Sequence, residues 1–74
     1  MAAIIVIEDD PHIRRLAAEA LAGEGHDVET AAAALEGLKL VVGSKPDLVI
    51  LDLGLPDLDG AELLRMLRQC PTCR

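Results

Sequence analysis

The sequence predicts an α/β domain that runs β-α-β-α-β-α around a parallel sheet. Two observations carry this. First, two short aliphatic runs, Ile4-Ile5-Val6-Ile7 and Leu48-Val49-Ile50-Leu51, have the length and composition of strands buried on both faces, as parallel sheets require. Second, the stretches between them carry apolar residues at helical spacing. Each aliphatic run also ends in acid, Glu8-Asp9-Asp10 after the first and Asp52 after the second. Carboxylates at the C-terminal ends of parallel strands lie along the edge where open α/β sheets place their sites. Three or four of them meeting there would repel one another without a divalent cation or a proton.

The elements follow in order. Ala3 to Ile7 reads as the first strand. Asp10 suits an N-cap and Pro11 the first helical position, so Asp10 is read as a cap and not as a third metal ligand. Ile13, Leu16, Ala17, Ala20 and Leu21 then form one helical face, and Gly23 and Gly25 can end the helix. Asp27 to Ala31 alternates in polarity, as a half-exposed edge strand does. Ala31 to Val42 reads as a second helix with Leu35, Leu38 and Val42 on one side and Gly37 as an internal cost of about 1 kcal/mol.

Gly43-Ser44-Lys45-Pro46 is a stop and turn, and Asp47 to Asp52 is the third strand. Leu53 to Leu58 is a loop. Asp59 and Glu62 fit a capping box for a third helix ending near Gln69. Right-handed crossovers give the strand order 2-1-3, with the first helix on one face and the other two opposite. The third strand is then an apolar edge. A homodimer through two such edges would cover it, forming a six-stranded sheet with an antiparallel central pair.

Composition narrows the function. The chain has 74 residues, at most one domain, of a size that buries only about 60% of its unfolded surface. It is 51% hydrophobic without Phe, Tyr or Trp, so it cannot stack on nucleic-acid bases. Thirteen acids against seven bases give a net charge of −6, and only Arg14-Arg15 are adjacent bases, which argues against direct DNA binding. No signal peptide opens the chain and no run approaches the roughly 20 apolar residues of a membrane span, so a cytoplasmic location without membrane contact is expected. His12 and His26 read as surface histidines. Cys70-Pro71-Thr72-Cys73 is a single CxxC in a C-terminal tail over residues 70–74, half of a structural zinc site at most.

Ile4-Ile5-Val6-Ile7-Glu8-Asp9-Asp10, together with Pro46-Asp47-Leu48-Val49-Ile50-Leu51-Asp52-Leu53-Gly54-Leu55-Pro56-Asp57-Leu58-Asp59-Gly60, resembles the receiver domain of bacterial two-component response regulators of the OmpR-like group. The resemblance spans residues 1–69 as one receiver unit and implies a flavodoxin-like, CheY-like doubly wound sheet. It implies that Asp52 accepts a phosphoryl group from a sensor histidine kinase, and that Glu8, Asp9, Asp52 and the backbone carbonyl of Gly54 hold Mg²⁺. A receiver has five strands and five helices. This chain matches the first three of each, without the fourth strand's hydroxyl or the fifth strand's Lys. The expectation is therefore a truncated receiver, a phospho-acceptor of a transcriptional regulator and not an enzyme, capable at most of self-phosphorylation from small phosphodonors. The alternative is a phosphorylation-incompetent decoy or dimerisation module. A third reading, a thiol or zinc protein, would use Cys70 and Cys73.

Overall fold

The computed structural model describes residues 1–52 and Arg65. The elements are β1 (Ala3–Ile7), α1 (Pro11–Gly23), β2 (Asp27–Ala31), α2 (Ala34–Ser44) and β3 (Leu48–Leu51). All pairings are parallel and the sheet order is β2-β1-β3, as the sequence predicts. Ile7 is level with Ala31 on one side and with Leu51 on the other. This register brings the C-terminal ends of all three strands to one edge. The Glu8 N–H donates to the Ala31 carbonyl and the Asp52 N–H to the Ile7 carbonyl, each at 3.0 Å, so the pairing continues one step into the acidic residues.

The core lies on the α2 side of the sheet. Ile5, Ile7, Ala31, Ala34 and Val41 are buried together, with Leu38, Leu40, Val49 and Leu51 packed around them. Gly37 explains how α2 sits so close. A Cβ built there would lie 2.6 Å from Ile7 Cγ1 and closer still to Cδ1. The residue read from sequence as a mild helix weakness is thus the point of contact between α2 and β1. A methyl group here would overpack the core, a change that typically costs about 1–3 kcal/mol.

The opposite parity, Ile4 and Val6, is also buried, whereas their register partners Leu48 and Ile50 on β3 are 51% and 39% exposed. The expectation that β3 is buried on both faces is therefore corrected: it is half-exposed, and among the described residues it pairs on one side only.

The helix faces also differ from the predicted ones. On α1 no residue is fully buried; Arg14, Ala17, Ala18 and Leu21 are the half-buried positions, while Ile13 and Leu16 are 53% and 65% exposed. On α2 the buried line is Ala34, Gly37 and Val41, while Leu35 and Val42 are exposed. On α2 small residues take the closest contact because they let the backbone approach the sheet. α2 also starts three residues later than predicted, because Ala31 is the last rung of β2. It runs through Gly43 to Ser44, whose hydroxyl donates to the Leu40 carbonyl at 2.7 Å. Lys45 then ends it in the left-handed conformation at φ 50°, a role more common for glycine.

The strand starts are tied as firmly as the ends. The Asp47 N–H donates to the Ala3 carbonyl and the Asp47 carboxylate accepts from the Ala3 N–H, both at 2.8 Å. His26 is half-buried, not the surface loop residue expected, because its Nδ1 accepts from the Ala2 N–H at 3.1 Å.

Candidate acidic site

Three of the predicted site residues meet. One carboxylate oxygen from each of Glu8, Asp9 and Asp52 lies within 4.8 Å of the others. The sequence achieves this by stopping two adjacent parallel strands at the same level and placing an acid immediately after each. Glu8 and Asp52 are half-buried and Asp9 is exposed, so the cluster opens to solvent at the sheet edge. Gly54, the fourth predicted ligand, lies outside the described residues. So do Asp57, Asp59, the capping box, Cys70 and Cys73, and all of the predicted third helix except Arg65, which is helical.

Asp10 is occupied elsewhere. Its carboxylate accepts from the His12 N–H at 2.8 Å and the Ile13 N–H at 3.4 Å, capping α1. Its own N–H donates to Glu8 Oε1 at 3.1 Å. The cap thus fixes the first turn of α1 and, through that bond, one oxygen of Glu8.

The electrostatics report crowding of like charge. The Asp10 N–H, the largest single influence on Glu8, favours its ionised form. Burial, hydrogen bonding to Asp52, charge repulsion from Asp52 and hydrogen bonding to Asp9 together outweigh it, and the Glu8 carboxyl is held above its ordinary value of 4.5. A group of this kind shares a proton or a cation with its neighbours. Hard oxygen donors, close together and open to water, suit Mg²⁺, which keeps several waters and takes one or two carboxylates.

Arg14 was not legible as part of this site. It reads as a solvated helix residue, yet its Nη1 donates to the Glu8 carbonyl at 3.0 Å and the Asp9 carbonyl at 3.5 Å. Arg15, its sequence neighbour, instead pairs on the surface with Glu19 at 2.9 Å.

Among the described residues no helix is long and apolar enough to cross a membrane. The sequence profile described as the response regulator receiver domain matches residues 4–73. The KDP operon transcriptional regulatory protein KdpE of Escherichia coli is 48% identical over 69 residues, 93% of this chain and 31% of that protein. The transcriptional regulatory protein AfsQ1 of Streptomyces coelicolor is 44% identical over the same shares. The chain thus spans about a third of the length of these curated relatives.

Among solved structures, the N-terminal domain of a response regulator receiver protein from Methanoculleus marisnigri superimposes with a TM-score of 0.93 at 31% identity, covering 100% of this chain and 60% of that one. The chemotaxis response regulator CheY4 of Vibrio cholerae gives a TM-score of 0.94 at 29% identity, covering 97% and 59%. The response regulator TrrA, solved in complex with histidine kinase ThkA, gives 0.86 at 39% identity, covering 93% and 60%. The parallel order β2-β1-β3, the acids that end β1 and β3, and the profile match lead to one conclusion: this chain belongs to the family of response regulator receiver domains, the signalling modules of two-component systems.

Proposed function

We propose that the chain is the acceptor portion of a transcriptional response regulator, acting in the cytoplasm and taking a phosphoryl group on Asp52 from a sensor histidine kinase. The observation that carries this is the convergence of Glu8, Asp9 and Asp52 at one sheet edge. Asp52 is the nucleophile: a carboxylate oxygen forms a bond to phosphorus as the phosphorus–nitrogen bond of the donor phosphohistidine breaks. The product is an acyl phosphate, and the freed imidazole takes up a proton. Glu8, Asp9 and Asp52 would hold Mg²⁺, with the Gly54 carbonyl as the further ligand the family resemblance implies. When bound, Mg²⁺ supplies positive charge to the phosphoryl oxygens. Asp10 contributes by capping α1 and keeping Glu8 in place. The histidine kinase as partner is supported by the ThkA–TrrA complex, in which a related receiver meets its kinase.

Intact-mass analysis after incubation with Mg²⁺ and a small acyl-phosphate donor tests this. One phosphoryl adduct is expected on the wild type and none on Asp52→Ala. A folded wild type without an adduct would overturn the acceptor reading. It would favour the second, an interaction module that binds copies of itself or a full-length regulator without phosphotransfer.

One observation favours self-association on either reading: among the described residues β3 pairs on one side only, and its Leu48 and Ile50 are exposed. Light scattering at micromolar concentration is expected to give twice the chain mass. A clean monomer would reject the β3-edge dimer.

A further inference from the structure

We propose that Arg14 is the positioning residue of the acidic turn, holding Glu8 and Asp9 ready for a cation. This rests on the Mg²⁺ reading above.

Arg14 engages the turn at three successive carbonyls. Its side chain donates to the Glu8 carbonyl at 3.0 Å and the Asp9 carbonyl at 3.5 Å, and its backbone N–H donates to the Asp10 carbonyl at 2.9 Å. Arg14 as a whole is half-buried. The turn from β1 into α1 is thus held by Arg14 as well as by the Asp10 cap, while the carboxylates of Glu8 and Asp9 remain in the cluster with Asp52. A planar guanidinium suits this, because its fork presents several donors in fixed directions. Ordering the turn in advance removes an entropy loss that the cation would otherwise have to overcome.

Two effects of Arg14 oppose each other. A positive charge on the turn that carries Glu8 and Asp9 repels Mg²⁺, so its removal by charge alone would tighten metal binding. Loss of the tether would weaken it, and residues that orient metal ligands typically contribute about 10–100-fold in affinity. The geometry assigns the larger effect to the tether. Arg15→Met provides the control, since it removes the same charge from α1 at a residue that pairs with Glu19 on the surface.

The test is Mg²⁺ titration calorimetry on the wild type, Arg14→Met, Arg14→Lys and Arg15→Met, with ¹⁵N–¹H spectra of each metal-free protein. Arg14→Met is expected to raise the Kd about tenfold or more and to displace the Asp9 and Asp10 amide signals before metal is added. Arg14→Lys, which keeps the charge and one donor group, is expected to fall between Arg14→Met and the wild type. Arg15→Met is expected to match the wild type.

An unchanged or lowered Kd for Arg14→Met, or unmoved Asp9 and Asp10 amides, would overturn the proposal. If Arg14→Met does not fold, wild-type affinity in Arg14→Lys would overturn it instead. A wild type that takes up no Mg²⁺ while its turn amides respond to Arg14→Met would instead remove the metal reading itself.

Discussion

Ile7→Ala is expected to remove most of the protein's stability at room temperature. Ile7 is fully buried, lies between β2 and β3 in register with Ala31 and Leu51, and meets Gly37 of α2. Removing three carbons from such a site costs about 2–5 kcal/mol, the lost transfer energy plus the cavity left behind. Collapse cannot relieve much of that cavity, because a sheet strand flanks Ile7 on each side and the α2 backbone covers it. A chain of this length has a total stability of about 4–11 kcal/mol at the usual value per residue, and small single cores lie at the low end. The loss therefore takes most of what exists. Ile50→Ala removes the same atoms from a position 39% exposed and should cost much less. Urea unfolding followed by far-UV circular dichroism compares the two. Equal midpoints would show that Ile7 is not the centre of the core.

The second large effect is a reversal of pH dependence by Mg²⁺. In the metal-free protein Glu8 titrates above its ordinary value of 4.5. The folded form therefore binds a proton more readily than the unfolded form. The stability Glu8 contributes is complete below 4.5 and is lost as pH rises through the higher folded value. Acidification from neutrality into that window should raise the melting temperature, until other carboxylates become protonated. Mg²⁺ is expected to act in the opposite direction, because on the proposed reading it binds the ionised carboxylates and competes with protons. At a hundredfold excess over Kd it should add about 2.7 kcal/mol near neutral pH, or roughly 10–20 °C in a domain of this size, and the gain should shrink on acidification. Melts followed by circular dichroism with and without Mg²⁺ at several pH values read both effects. A melting temperature indifferent to Mg²⁺ at neutral pH would contradict the site, and an unchanged acid response in Glu8→Gln would contradict the role of Glu8.

The sheet and its acidic edge were legible because strands announce themselves by composition and each acid follows directly on a strand. Ile7 level with Leu51 makes Glu8 and Asp52 neighbours, and this needs only the parallel order. The helix faces were less legible. Ala17, Ala18, Ala33 and Ala34 are apolar but small, so a pattern based on hydrophobicity favours Ile13, Leu16 and Leu35, whereas packing buries or half-buries these alanines and Gly37. Arg14 was missed for a different reason. Its partners are backbone carbonyls, which carry no residue identity, so no spacing in the sequence marks the contact.

Among the described residues every strand pairing passes through β1, and β2 and β3 share none. This has a kinetic consequence. Ala3 must find Asp47, 44 positions away, before β3 is seated. Closing so long a loop is slow compared with forming α1 or α2. Asp52 joins Glu8 and Asp9 only in that step, so cation affinity should appear late in refolding, after most helical signal has returned. During synthesis, the acidic cluster can assemble only once residue 52 has cleared the ribosome.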